Sequence, residues 1–139
     1  MKLMFPILFV SLIATSVVSA AEDTPVDFVK QIKPVFEERC VECHNSTTLL
    51  GEFNIQNREL ALKKRNNGPG IVPGEPFRSP LLLTLTLPPN DRKTMPATGH
   101  LLSKKDIDLI SRWIKEGAKW PEGEAGAIRP KKSVKQKGE

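Results

Sequence analysis

The sequence predicts an all-α domain with long loops. Two segments each carry four apolar side chains at helical spacing, and both follow helix-start signals. These side chains are Phe28, Ile32, Val35 and Phe36 in the first segment and Ile107, Ile110, Trp113 and Ile114 in the second. The stretches between them are rich in proline, glycine and asparagine, which mark loops. We therefore predict one small helical domain over residues 24–121.

The first predicted helix begins near Thr24, whose side chain can cap it, with Pro25 at the first helical position and Asp27 in a capping box. Pro34 interrupts the apolar pattern because it has no N–H to donate to the preceding turn. We expect a kink or a restart there, and we expect the helix to end at or just before Cys40.

The middle of the chain predicts short helices and loops. Residues 58–65 suit a short helix, and residues 66–70 form a loop by every local signal. Ser79-Pro80 can open another helix through the leucines that follow. Residues 83–87 also alternate like a strand. We prefer the helix because a single strand would have no partner.

The last predicted helix starts at Ser103, which forms a capping box with Asp106, and ends at Gly117. Trp120-Pro121 closes the domain. Residues 122–139 are predicted to be a disordered basic tail, because glycine, glutamate and lysine dominate them.

The first 20 residues predict a secretory signal peptide. Met1-Lys2 is a short positive start, an uncharged apolar run follows, and Ala20 ends a small-residue cleavage site. The alternative is an uncleaved membrane anchor, but the run is shorter than the ~20 residues that a spanning helix needs. We therefore expect a periplasmic or otherwise exported protein with no membrane span after cleavage.

The basic character of the chain comes from its two ends. The net charge is +5, yet residues 21–128 hold fifteen basic and fifteen acidic side chains. The mature excess lies in residues 129–139. Nucleic-acid binding is not expected, because no basic stripe interleaved with aromatic residues crosses the domain.

Cys40-Val41-Glu42-Cys43-His44 is the motif that predicts the chemistry. C-x-x-C-H is the attachment signature of c-type haem. Each thiol can add to one vinyl group of the porphyrin, and His44 can then reach the iron as proximal ligand. The motif uses both cysteines of the chain, so we predict one covalent haem c.

A zinc site and a redox dithiol are the alternatives. Zinc needs about four ligands, and only His100 is left to complete a set with Cys40, Cys43 and His44, at an unsuitable spacing. No βαβ pattern surrounds the motif, as a thioredoxin-like site would require. Export also favours thioethers, because free thiols oxidise in such compartments.

Met95 and His100 are the candidates for the sixth iron ligand. Met95 is the only methionine left after removal of residues 1–20, and it lies in a polar loop rather than on an apolar helix face. Pro96 favours an extended backbone at the residue before it, which fixes the direction of the sulfur. We predict Met95 as the distal ligand and His100 as a solvent-facing loop residue.

Other residues carry weaker signals. Phe28, Phe36 and Trp113 are expected to be ordinary core rather than haem contacts. A carbonyl from the loop over residues 68–74 is a candidate acceptor for the free nitrogen of His44. The haem propionates have several candidate partners, which are Arg65, Arg78, Arg92 and Lys93.

These segments together resemble the small cytochrome c domain of planctomycetal proteins, over residues 26–121. Besides the haem motif, the resemblance rests on segments at residues 32–36, 72–76, 95–96, 106–107 and 113–121 and on Ser79 with the leucines after it. It implies a helical fold wrapped around haem, in which the first and last helices cross near the attachment site. It also implies thioethers at Cys40 and Cys43, with His44 and Met95 as axial ligands.

The sequence therefore predicts a periplasmic electron-transfer cytochrome with a six-coordinate His/Met haem, acting on transient redox partner proteins and not as an enzyme. If protein fills both axial positions, no substrate reaches the iron. Three alternatives stay open at this point. They are a haem subunit through which electrons enter a periplasmic oxidoreductase complex, a gas-binding haem protein with an open distal site, and a metal-binding or scaffold module without haem.

Overall fold

Helices account for the regular structure of residues 24–131, which are the residues that the computed structural model describes. The five α-helices of this part are α1 (Lys33–Arg39), α2 (Arg58–Leu62), α3 (Pro80–Leu85), α4 (Lys104–Lys115) and α5 (Gly123–Gly126). A π-helical turn (Phe28–Ile32) precedes α1, and two 3-10 turns lie at Leu50–Glu52 and Pro76–Arg78. No strand occurs among residues 24–131, so the all-α prediction is confirmed. The predicted signal peptide, residues 1–20, lies outside the described residues.

The first helical segment begins later than the sequence predicts. Asp27, not Thr24, caps it by accepting from the Lys30 N–H at 3.1 Å. The predicted cap was wrong because the chain before Asp27 is bound to the end of α4, where the Val26 N–H donates to the Glu116 carboxylate at 2.7 Å. Pro34 lies in the first turn of α1, where a missing N–H costs nothing, so the predicted restart is confirmed.

Four aromatic rings form the centre of the core where α4 crosses the Phe28–Ile32 turn. Phe28 stacks on Trp120 at a centroid distance of 4.6 Å, and Trp113 meets Phe36 edge to face at 5.6 Å. Such pairs contribute about 0.5–1.5 kcal/mol each beyond their burial. Phe28, Phe36 and Trp113 are therefore core residues, as expected.

Helix α3 confirms the helical interpretation of the leucine-rich segment, since Leu81, Leu82 and Leu85 are buried on one side. Ser79 precedes it without capping it. Its buried hydroxyl instead accepts from the Val72 N–H at 2.9 Å and donates to the Glu75 carbonyl at 3.0 Å. This serine holds the preceding turn against the start of α3.

The domain continues beyond Pro121, where we predicted a disordered tail from residue 122. The Trp120 indole donates to the Gly126 carbonyl at 2.7 Å, and Ile128 is 1% exposed. The Ile128 N–H also donates to the Gln56 carbonyl at 2.8 Å. The predicted boundary was too early, because we placed it from amino-acid composition and did not expect one isoleucine beyond it to be buried. Residues 132–139 lie outside the described part of the chain.

Within residues 24–131, every helix is too short or too polar to traverse a lipid bilayer.

Candidate haem site

Helix α1 delivers the haem motif at its carboxyl end. Cys40 follows the last residue of α1, and its N–H donates to the Phe36 carbonyl at 3.1 Å. One further turn then brings the Cys43 and His44 N–H groups within 3.2 and 3.0 Å of the Cys40 carbonyl. Cys40, Cys43 and His44 therefore lie in one backbone turn directly after α1. The two cysteines form no disulfide with each other.

Burial makes Cys40 a poor redox thiol. It raises the pKa of the Cys40 thiol to about 12, because desolvation disfavours the thiolate. Reactive dithiols and thiolate metal ligands work in the opposite direction, with a lowered thiol pKa. The environment of Cys40 therefore suits an uncharged thioether better than a redox cysteine or a zinc ligand.

The orientation of His44 is set by one backbone carbonyl. Its Nδ1 lies 3.0 Å from the Leu50 carbonyl oxygen. A carbonyl only accepts hydrogen bonds, so Nδ1 carries the proton and Nε2 keeps its lone pair for a metal. Burial lowers the pKa of His44 below its ordinary value of 6.5, which also favours the neutral, metal-binding ring. The expectation that the loop over residues 68–74 supplies this acceptor was wrong.

The Leu50 carbonyl is aimed by an unusual turn. Leu49, Gly51 and Glu52 have φ values of 43°, 64° and 55°, all in the left-handed region. Two of these three residues are not glycine, and such positions cost of order 1 kcal/mol or more and cluster at functional sites. The turn is closed by the Leu50 N–H, which donates to the Cys43 carbonyl at 3.1 Å.

A mostly apolar cleft opens beside His44. It holds about 630 Å³ of space, a volume that includes solvent at its open side. Cys40, His44 and Met95 line the same cleft. Its remaining lining is largely apolar and comes from residues such as Leu50, Phe53, Gly70, Pro80, Leu81, Leu85 and Pro96. Cys43 is partly buried beside it and does not line it.

Met95 reaches the cleft because α3 anchors its backbone. The Met95 N–H donates to the Thr84 carbonyl at 3.0 Å, and Thr84 and Leu85 line the cleft with it. The preceding Thr94 is buried and donates to the Pro88 carbonyl at 2.5 Å. His100 is exposed and does not line the cleft. Of the two predicted candidates, the structure brings only Met95 together with His44.

Two arginines line the cleft, and only one of them was a sequence candidate. Arg65 was among the four predicted propionate partners, whereas Arg39 was missed. Arg39 donates to the carbonyls of His100 and Leu101 at 2.6 and 3.2 Å. Its place directly before Cys40 was the available signal. The other three predicted partners, which are Arg78, Arg92 and Lys93, are exposed and do not line the cleft.

The donor set fits haem c and does not fit a metal ion held by side chains alone. No group of three or more His, Cys, Asp or Glu side chains able to hold a metal occurs within residues 24–131. Cys40 and Cys43 would hold the porphyrin as thioethers, and His44 and Met95 would hold the iron. The apolar walls suit the faces of a porphyrin, and Arg39 and Arg65 supply positive charge at the cleft.

A family model for planctomycete cytochrome C matches residues 40–99 of the chain. This match is consistent with a planctomycete-type cytochrome c domain over that part of the chain. The matched segment begins at the first cysteine of the haem motif and includes Met95, so it spans every residue predicted to touch haem iron. The planctomycete cytochrome C family implies a covalently bound haem c, a cofactor that the apolar cleft beside His44 suits.

The chain is also similar to one solved structure. A chain of Kuenenia stuttgartiensis hydrazine synthase matches it with 21% identity and a TM-score of 0.46. The match covers 76% of this chain and 17% of that chain, so this chain spans less than a fifth of the synthase chain. None of the curated proteins compared with the chain matches it significantly.

Proposed function

We propose that this cytochrome is an exported electron-transfer protein with one covalent haem c, ligated by His44 and Met95. The observation that carries the proposal is that Cys40, His44 and Met95 line one apolar cleft, with the Nε2 of His44 free to bind a metal. Bound haem c supplies a one-electron couple between ferrous and ferric iron.

The protein's own part is to fill both axial positions. His44 presents Nε2 because Leu50 holds its Nδ1 proton, and Met95 presents its sulfur from a loop anchored on α3. Leu81 and Leu85 of α3 give that side of the cleft an apolar wall. With both positions filled, no substrate binds the iron, so we propose no enzymatic activity.

Transient redox partners follow from the same arrangement. Leu50 lines the cleft and is 48% exposed, so one edge of the site reaches the surface. An exposed cofactor edge suits brief contacts with partner proteins better than a sealed site would.

An optical and redox titration of the matured protein tests the proposal. We expect one haem per chain that survives acid-acetone extraction, a low-spin spectrum, and no reaction of the ferrous form with carbon monoxide. Carbon monoxide binding by the wild-type protein would instead support a gas-binding protein. Absence of covalent haem after expression with a maturation system would overturn the proposal.

Export is tested separately by the mass of the mature protein. We expect removal of residues 1–20 and recovery in the periplasmic fraction. Retention of residues 1–20 in a membrane-bound product would contradict this part of the proposal and favour the anchor.

A further inference from the structure

Arg65 links the loop that contains Gly51 to the loop that contains Gly68. Its Nη1 donates to the Gly51 carbonyl at 2.7 Å, and its Nε donates to the Gly68 carbonyl at 3.2 Å. The same guanidinium lies over the Phe53 ring, 5.3 Å from its centroid. Arg65 and Gly68 also form an isolated backbone bridge, which fixes the arginine to its own loop.

Two protein groups next to the His44 ring, the Leu50 carbonyl and the Phe53 ring, belong to segments that this guanidinium contacts. The Leu50 carbonyl, which accepts from His44 Nδ1, belongs to the left-handed turn whose next carbonyl, that of Gly51, Arg65 binds. The Phe53 ring meets the His44 ring edge to face at 5.5 Å. Arg65 therefore contacts the imidazole's hydrogen-bond acceptor turn and its aromatic neighbour together.

We propose that Arg65 is a positioning residue for His44. By holding the Leu49–Glu52 turn and Phe53, it keeps the Leu50 carbonyl on the Nδ1 proton, and this hydrogen bond sets the orientation and basicity of the iron ligand. The inference rests on the proposed haem ligation by His44. It assigns Arg65 a role other than pairing with a propionate.

The chemistry of arginine suits this role. Its planar fork offers donors in fixed directions, so one side chain can bind two carbonyls and still cover an aromatic face. Lysine keeps the charge but is a single flexible donor. Arg65→Lys therefore separates the effect of the contacts that the guanidinium makes from the effect of its positive charge.

The test compares haem-loaded wild-type protein with Arg65→Lys, Arg65→Gln and Lys64→Gln. Lys64 is the neighbouring exposed cation. Lys64→Gln therefore removes one positive charge next to Arg65 and leaves the contacts of Arg65 intact. The readouts are hydrogen exchange of the His44 Nδ1–H by NMR in the ferrous protein, and the reduction potential.

We expect about tenfold faster Nδ1–H exchange in both Arg65 variants, because hydrogen bonds to a charged donor hold the turn closed. Lys64→Gln should exchange at the wild-type rate. In Arg65→Lys the potential should rise, since a weaker Nδ1 hydrogen bond makes His44 a weaker donor to iron while the charge is unchanged.

The inference would be overturned if Arg65→Lys had the Nδ1–H exchange rate and the reduction potential of the wild type. A change seen only in Arg65→Gln would also overturn it, because the charge of Arg65 alone would then explain the effect. Wild-type protein without covalent haem would contradict the proposed function instead. The two failures are therefore distinguishable.

Discussion

The backbone N–H of Met95 donates to the carbonyl oxygen of Thr84 at 3.0 Å, so the last turn of α3 holds the middle of the loop that carries the methionine. This bond connects Met95, which lies in a loop, to α3, the most leucine-rich helix of the domain. It explains how a side chain in a long polar loop can present one atom reproducibly at the cleft.

Replacing Met95 by alanine should leave haem attached and open the iron. We expect the reduction potential to fall, because the thioether favours ferrous iron, and carbon monoxide to bind the reduced protein. Optical titration with carbon monoxide measures this. His100→Ala is the matched control, since His100 is exposed and outside the cleft. An unchanged spectrum in Met95→Ala would remove Met95 as the distal ligand.

Replacing Gly70 by alanine should disturb the proximal side. A Cβ at Gly70 would overlap the Phe53 ring, which lies edge to face with His44. Overpacking of this kind costs typically about 1–3 kcal/mol. We expect a lower denaturant midpoint together with a shifted haem spectrum.

Gly74→Ala provides a contrast to Gly70→Ala. Gly74 has open space around a Cβ and a positive φ of 83°, so the substitution strains the backbone away from the cleft. It should lower stability without shifting the haem spectrum. Equal spectral shifts in both variants would contradict the contact between Gly70 and Phe53.

Acid should release His44 only below the ordinary histidine range. Burial holds the pKa of the folded ring below 6.5, so the unfolded chain binds the proton more readily. The stability contributed by the neutral ring is therefore present above the unfolded pKa and is lost as pH falls through the lower folded pKa. An optical pH titration should show the low-spin spectrum persisting at pH 6.5. Loss of that spectrum at or above pH 6.5 would contradict this expectation.

Truncation should locate the end of the domain. A chain that stops after Pro121 loses Ile128 from the core and the carbonyl acceptor of Trp120. Loss of one buried isoleucine side chain alone costs about 2–5 kcal/mol. A chain that stops after Lys131 should have the wild-type free energy of unfolding, measured with urea. Equal stability of the two truncated chains would restore the boundary predicted at residue 121.

Side-chain chemistry was the part of the site that the sequence could predict. The motif over residues 40–44 predicts Cys40, Cys43 and His44 as haem-binding residues, and Met95 was predicted because few soft ligands occur after residue 20. The acceptor of His44 could not be predicted, because a backbone carbonyl carries no residue-type signal. Leu50 acquires its role only from the left-handed turn around it.

The same distinction holds for the fold. Helical spacing located α1 and α4, since an apolar face needs a partner wherever it falls in the chain. The prediction of α3 rested instead on the Ser79-Pro80 start and on the lack of a partner for a single strand. The end of the domain was missed because one buried isoleucine, Ile128, gives no periodic signal. Arg39 and Arg65 took their places through long-range contacts to carbonyls, which no local pattern encodes.

The aromatic cluster of Phe28, Phe36, Trp113 and Trp120 lies apart from the cleft, because none of the four rings lines it. The packing of α4 against the Phe28–Ile32 turn thus rests on rings that do not line the candidate haem cleft. Substitutions in the cleft walls can therefore change the candidate haem site without altering these four rings. Because the aromatic cluster and the cleft use different side chains, substitutions can change the cleft while the packing of the cluster is kept.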